Sequence, residues 1–202
     1  MLAYSSIAHG GYLLLALVSA NDVGKASVLF YLLVALHSAN DVGKGAVLFY
    51  LLTYAVANIG AFGVIGLLER ADRPNDRLRD YAGLWNDHPA LATLMTVFLL
   101  SLGGFPPMAG FIGKWYVFSA AVKAGYTGLA IIAVFTSVIS VFFYLRIVVM
   151  MYMTPADTPA QFPAVPRMAG AALVISAILV FYLGILPSRV IAWAAASIST
   201  IF

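Results

Sequence analysis

Residues 101–118 read SLGGFPPMAGFIGKWYVF and lie inside a longer apolar segment, 89–122. As one helix that segment would measure about 51 Å, whereas the hydrocarbon core of a bilayer is about 30 Å thick. Pro106 and Pro107 lack an N–H and obstruct the helical turn before them. Four glycines loosen the backbone further: Gly103, Gly104, Gly110 and Gly113. The stretch therefore predicts two half-helices, about 90–104 and 110–123, joined by an extended break.

A break of this kind has two interpretations. Irregular backbone at membrane depth survives only where it is buried in protein or lines a water-filled cavity, and broken helices mark ion and substrate paths in many transporters. A simple proline kink without a transport role is the alternative. The break alone does not decide between them.

Lys114 favours the transport interpretation. It lies between FIG and WYVF, far from both ends of the apolar segment. An ammonium group at the bilayer centre costs a few kcal/mol at least, and such residues usually mark proton or ion pathways. A lysine that extends its amine to the interface is the alternative, but the central position argues against it. Lys114 is therefore the first candidate for a proton carrier.

The composition is that of a membrane protein. The chain of 202 residues is 63% hydrophobic and 9% charged, against about 25% charged residues in soluble domains. Five apolar segments are present: 2–18, 45–68, 89–122, 126–152 and 169–187. The sequence predicts an all-α integral membrane protein with about five transmembrane helices, one of them discontinuous.

Two connecting segments and the C-terminus complete this topology. Segment 69–88 carries mixed charges and is typical of a solvated loop, whereas 154–168 is a proline-rich connector. The face that carries both loops is slightly richer in lysine and arginine, so we expect it on the cytoplasmic side. Residues 188–202 are expected to form a terminal interfacial helix.

A duplicated block precedes the second apolar segment. One stretch occurs twice with two differences, as SANDVGKASVLFYLL at 19–33 and as SANDVGKGAVLFYLL at 38–52. The apolar run 26–37 between the polar parts would be about 18 Å long as a helix, too short to span a bilayer comfortably. We therefore expect 19–44 to form a loop or hairpin insertion. A local tandem duplication is its simplest origin, and a fault in the assembled gene sequence is the equal alternative. A solenoid is excluded because there is no third copy.

Polar side chains recur at helical spacing on three of the apolar segments. They are Ser5, Ser6 and His9; Tyr50, Thr53, Tyr54 and Asn58; and Thr136, Ser140 and Tyr144. Such stripes face neighbouring helices or water rather than lipid. For the third group, hydrogen bonding between helices is the favoured interpretation. His9 could relay protons near neutral pH. The equal alternative is a buried histidine that stays neutral and only forms a hydrogen bond.

Several other classes of site are excluded. The chain has no cysteine, so disulfides, thiolate metal sites and iron–sulfur ligands are ruled out. The net charge of +3 is too small to indicate nucleic-acid binding. NDVGK and GFIGKW lack the phosphate-binding GxxxxGK[ST] frame, and the three histidines are not at metal-ligand spacing. The chain by itself is expected to hold no redox centre.

Four stretches resemble one known family. They are LAYSSIAHGGY at 2–12, AVLFYLLTYAVANIGAFGVIGLLE at 46–69, MTVFLLSLGGFPPMAGFIGKWYVF at 95–118 and FYLR at 143–146. They are similar to the proton-translocating, antiporter-like subunits of respiratory complex I, and in particular to the subunit N type of bacterial NADH–quinone oxidoreductase. That family has two inverted repeats, each with a discontinuous helix. The resemblance covers the C-terminal part, so we expect this chain to correspond to the second repeat and to have a truncated N-terminus.

The resemblance also implies roles for individual residues. Lys114 matches the lysine of the family's broken helix, in a half-channel toward the periplasm. His9, with Ser5 and Ser6 beside it, matches a polar position on the central hydrophilic axis. In related subunits, the helix that corresponds to 46–69 lines the same axis. The polar residues on it here are Tyr50, Thr53, Tyr54 and Asn58.

The function implied is proton translocation coupled to quinone reduction in the bacterial inner membrane. NADH, FMN, iron–sulfur clusters and quinone would be bound by other subunits, and the partners would be the other membrane subunits and the lipid bilayer. Two alternatives remain open. The chain could belong to a related cation/proton antiporter or membrane-bound hydrogenase, or it could be an inactive, truncated membrane polypeptide with a packing role.

Overall fold

The computed structural model describes residues 41–68, 78–155 and 165–199, and all regular structure in these ranges is helical. Seven α-helices follow one another, with a 3-10 turn at Leu78–Tyr81 between the first two. They are α1 (Asp41–Leu67), α2 (Leu84–Asp87), α3 (Pro89–Gly103), α4 (Ala109–Lys123), α5 (Thr127–Met153), α6 (Arg167–Ile185) and α7 (Ser188–Ser199). The predicted all-helical fold with a discontinuous helix is confirmed.

Three of the described helices are long and apolar enough to cross a membrane: Gly45–Leu67 within α1, Thr127–Met153 and Arg167–Ile185. Helices α3 and α4 have 15 residues each, which is about 22 Å and too short for a hydrocarbon core of about 30 Å. Each therefore has the length of a half-helix, as the sequence predicts for 89–122.

Helix α1 begins inside the segment that the sequence predicts as a loop. Residues 41–44, the end of the predicted insertion 19–44, form its first turn. The apolar run begins only at residue 45, but helical hydrogen bonding needs no apolar side chain, so the helix extends past the run. The rest of the duplicated segment, 19–40, lies outside the described residues.

Contacts divide the chain into two compact units, and the larger comprises 53–112 and 135–186. Its helices approach closely at glycines of α1. The ring of Phe98, fully buried on α3, lies directly over Gly60, and a Cβ built on Gly63 would be 2.8 Å from Leu173 of α6. Small residues at such contacts let membrane helices approach closely. Helix α3 therefore packs against α1, and it also contacts α6.

The smaller unit includes, among its described residues, 41–52, 113–134 and 187–199. Its buried apolar side chains come from three helices: Ala46, Val47, Phe49, Tyr50, Val117, Ala121 and Ala130. Helix α7 exposes Trp193, whose side chain is 69% accessible. Tryptophan side chains are enriched at membrane–water interfaces.

The end of the charged loop is held on the C-terminal turn of α5, within the larger unit. The backbone N–H of Gly83 donates to the carbonyl oxygen of Met150 at 3.3 Å. The rings of Trp85 and Tyr152 stack with centroids 5.0 Å apart. The hydroxyl of Tyr152 also lies 3.4 Å from Oγ1 of Thr96 on α3. One aromatic side chain thus connects the loop, α3 and α5.

We expect Tyr152→Ala to lower the thermal stability of the protein. The change removes the stacked ring and the contact with Thr96, and aromatic pairs contribute about 0.5–1.5 kcal/mol beyond the area they bury. Unfolding in detergent, followed by tryptophan fluorescence, measures the shift in Tm. Trp193→Ala is the control, because it removes a large exposed ring and should change Tm less. Equal Tm values for Tyr152→Ala and the unchanged protein would contradict the prediction.

Candidate functional site in the broken helix

The first half-helix, α3, ends in a left-handed turn. Gly104 has φ 87° and ψ 44°, a conformation that glycine adopts without the steric penalty of a Cβ. Its N–H donates to the carbonyl oxygen of Ser101 at 3.0 Å, and the N–H of Phe105 donates to that of Leu100 at 3.0 Å. These two bonds form a Schellman motif, which satisfies carbonyl groups that a helix end otherwise leaves without partners.

The connection to the second half-helix is a compact turn rather than the extended break that the sequence predicts. Pro106 and Pro107 are joined by a cis peptide bond. The N–H of Met108 donates to the carbonyl oxygen of Phe105 at 2.9 Å, and α4 begins at the next residue. The difference arises because the left-handed glycine turns the chain back toward α3, which brings the start of α4 beside its last turn.

The start of α4 rests on Ser101. The N–H of Gly110 donates to the hydroxyl oxygen of Ser101 at 3.2 Å, and both residues are buried. A Cβ at Gly110 would overlap the carbonyl oxygen of the same serine, so only glycine allows this approach. The N–H of Phe111 donates to the carbonyl oxygen of Met108 at 3.1 Å. The serine thus supports the two half-helices on both sides of the break.

Helix α6 covers the break from another side. The backbone of Pro107, Met108 and Ala109 lies directly on Gly184, where a Cβ would overlap the carbonyl oxygen of Pro107. Gly184 is itself buried. The turn at the break is therefore held between α3 and α6 by backbone-to-backbone contact, which leaves little space for movement of the chain.

Lys114 lies on α4, about one helical turn after Gly110. Its side chain is partly buried, the preceding Gly113 is buried, and the following Trp115 is 62% exposed. An amine at this place, close to the start of a half-helix, can accept and release a proton. The remaining glycine of the predicted break, Gly103, is buried in the last turn of α3.

The four polar residues of the second predicted group all lie on α1. Tyr50, Thr53 and Asn58 are buried, and Tyr54 is half-buried. The Nδ2 of Asn58 donates to the carbonyl oxygen of Tyr54 at 2.8 Å. The amide is therefore hydrogen-bonded within its own helix, while its burial keeps it in the interior of the protein.

The polar residues of α5 differ in burial. Ser140 donates from its hydroxyl to the carbonyl oxygen of Thr136 at 2.9 Å, one turn earlier, and Tyr144 is buried. Thr136 is exposed in this chain. Ser5, Ser6 and His9, which belong to the predicted polar axis, lie outside the described residues. Within the described ranges no group of three or more His, Cys, Asp or Glu residues could hold a metal ion.

Two residues of the site were not found from the sequence. The signal for Ser101 is a hydroxyl residue in an apolar segment, two residues before the double glycine. Gly184 carries no local signal, since its role depends on the backbone that lies against it and not on its own sequence neighbours.

The chain is similar to known proteins in sequence and in fold. A sequence model described as "NADH:quinone oxidoreductase/Mrp antiporter, TM" matches residues 27–140. This match covers more than half of the chain and includes α3, the break and Lys114. The chain belongs to this family.

One curated relative is subunit N of NADH-quinone oxidoreductase from Trichlorobacter lovleyi, which is 43% identical over 201 residues. The match covers 100% of this chain and 37% of that protein. The chain thus spans about a third of the length of this relative of the NADH:quinone oxidoreductase/Mrp antiporter family.

Two solved structures have the same fold. Respiratory complex I from Thermus thermophilus with bound aureothin matches with a TM-score of 0.69 and 32% identity, over 95% of this chain and 44% of that chain. The Mrp complex from Dietzia sp. matches with a TM-score of 0.67 and 21% identity, over 82% and 39%. As a member of a transmembrane family found in bacteria, the protein is a multi-pass component of the bacterial cell membrane.

Proposed function

We propose that the chain is part of a membrane subunit of NADH–quinone oxidoreductase that takes part in proton translocation coupled to quinone reduction. The observation that carries the proposal is the broken helix, whose second half carries Lys114 about one turn after Gly110. The chain is also 43% identical to a subunit N. Lys114 would exchange a proton with neighbouring polar groups and with the outside. His9 would be a second proton-transfer residue on the same axis.

The coupling would be electrostatic. A charge that arrives near a lysine in a medium of low dielectric changes the relative stability of the charged and neutral amine. Redox chemistry elsewhere in the complex could therefore change the protonation of Lys114 without contact. The polar residues Ser5, Ser6, Tyr50, Thr53, Tyr54 and Asn58 would hold the water and hydrogen bonds along which the proton moves.

The remaining chemistry would belong to other subunits. NADH, FMN, the iron–sulfur clusters and quinone would be bound outside this chain, which makes the chain a translocase component and not a redox enzyme by itself. Other membrane subunits and lipid would cover its apolar surface. Helix α5 supports this, because it exposes large apolar side chains such as Phe135, Phe142 and Ile139.

A second candidate is a subunit of a cation/proton antiporter or of a membrane-bound hydrogenase. The fold match to the Mrp complex favours the antiporter among these. A third candidate is an inactive membrane polypeptide with a packing role. The first two candidates differ in their partners, so one purification separates them. The third differs in the conduction of protons, which a measurement of proton translocation tests.

The test is affinity purification of the tagged protein, expressed from its own locus, from native membranes in mild detergent. We expect the purified sample to contain FMN, to show iron–sulfur absorbance and to have NADH:quinone reductase activity. The control is a tag on an unrelated membrane protein of the same cells. Purification without flavin, with partners that exchange cations for protons, would overturn the proposal in favour of the antiporter.

A further inference from the structure

The last turn of α3 and the first turn of α4 are both hydrogen-bonded to one residue, Ser101. The carbonyl oxygen of Ser101 accepts the N–H of Gly104, which closes α3, and its hydroxyl oxygen accepts the N–H of Gly110, which opens α4. Ser101 is only 1% exposed. A single serine therefore supports both sides of the break.

The hydroxyl has a specific task at the start of α4. The first four N–H groups of a helix have no partner within the helix, and a buried N–H without a partner is destabilising. Gly110 is buried, and its N–H obtains a partner nine residues back along the chain. Without that hydroxyl, α4 would have to shift or fray at its first turn to find another acceptor.

A shift at the first turn of α4 would move Lys114. The lysine follows Gly110 by about one turn in the same uninterrupted helix, and a helix transmits an axial or rotational displacement along its length. Proton transfer needs donor and acceptor within hydrogen-bond reach, directly or through one water, so a displacement of about 1 Å can slow it strongly.

We propose that Ser101 is a positioning residue for Lys114: its hydroxyl caps α4 across the break and fixes the register of the helix that carries the lysine. The inference rests on the proposed function of Lys114. It concerns a residue that would touch neither the proton nor the quinone, and that acts only through the hydrogen bond to Gly110.

Ser101→Ala in the assembled complex tests this. The variant removes one oxygen from a buried site, so we expect assembly and NADH oxidation to remain. We expect the ratio of protons moved to NADH oxidised to fall about fivefold, the change that corresponds to one hydrogen bond of ordinary strength. Ser101→Thr keeps the hydroxyl and should restore the ratio. Ser176→Ala is the matched control, because Ser176 donates to Ala172 of its own helix.

Hydrogen exchange of peptides that cover residues 108–118 measures the cap directly. We expect faster exchange at the start of α4 in Ser101→Ala than in the unchanged protein, and unchanged exchange in Ser101→Thr and Ser176→Ala. Unchanged exchange in Ser101→Ala would overturn the inference whatever Lys114 does, and so would a failure of threonine to restore the proton ratio in a normally assembled complex.

The failure of the inference and the failure of the proposed function are distinguishable. If Lys114→Ala lowers the proton ratio and Ser101→Ala does not, the function stands and the positioning role is wrong. If Lys114→Ala leaves the ratio unchanged, the proposed function fails, and the positioning role fails with it.

Discussion

Lys114→Ala is expected to lower NADH-driven proton translocation by about tenfold or more, which is within the contribution of a positioned proton-transfer group. The alanine has no group that can carry a proton, and no other lysine lies in the described part of α4 before Lys123 at its end. The measurement is the initial rate of acidification in inverted membrane vesicles, divided by the amount of assembled complex on native gels.

One variant decides whether the charge or the exchangeable proton of Lys114 matters, and a second is its control. Lys114→Arg keeps a positive charge, but a guanidinium does not release its proton in proteins, so we expect translocation to remain low. Lys123→Ala removes an exposed lysine from the other end of the same helix and should leave the rate unchanged. Normal translocation in Lys114→Arg would mean that the lysine is an electrostatic element and not a carrier.

The same experiment tests the packing hypothesis. If the complex assembles and oxidises NADH while every variant, including the unchanged chain, moves no protons, the polypeptide has only a structural role. If Lys114→Ala lowers assembly and translocation equally, the lysine stabilises the fold. The proposed function requires that translocation falls and assembly does not.

The positions of the helices could be predicted from the sequence because they depend on local properties. Two adjacent prolines and the glycines around them interrupt any helix, and the apolar length on each side then determines the two halves, Pro89–Gly103 and Ala109–Lys123. Helices α5 and α6 follow in the same way from uninterrupted apolar runs between polar or proline-rich segments. The start of α1 was predicted less accurately, because its first turn is polar and gives no hydrophobic signal.

The arrangement of the break could not be predicted, because it depends on contacts between distant residues. Ser101 is one hydroxyl in an apolar segment until the chain reverses at Gly104 and brings Gly110 beside it. Gly184 is one glycine in a long helix until the backbone of Pro107 lies against it. In both cases at least one partner is a backbone atom, so the side-chain pattern of the sequence does not show which residues meet.

Gly110→Ala and Gly184→Ala are expected to prevent stable assembly of the protein, each through the insertion of one methyl group. The new Cβ would overlap the carbonyl oxygen of Ser101 in the first variant and that of Pro107 in the second. Because these obstacles are backbone atoms, they cannot rotate away, and the helices must separate. Overpacking and the loss of the Gly110 hydrogen bond together should destabilise by about 3 kcal/mol or more, a large part of a stability of about 5–15 kcal/mol. The measurements are the amount of assembled complex on native gels and its Tm in detergent.

Gly66→Ala and Gly128→Ala are the matched controls, since a Cβ at either position would meet no atom within 4 Å outside the adjoining backbone of its own helix. Alanine has a higher helix propensity than glycine, so these two variants should assemble at the normal level with an unchanged or slightly higher Tm. Because all four variants make the same chemical change in an apolar helix, a difference between the pairs reports the close contacts and not the substitution. Normal assembly of Gly110→Ala and Gly184→Ala would show that the break is not held between α3 and α6 by backbone contact. Lys114 would then need another support for its position.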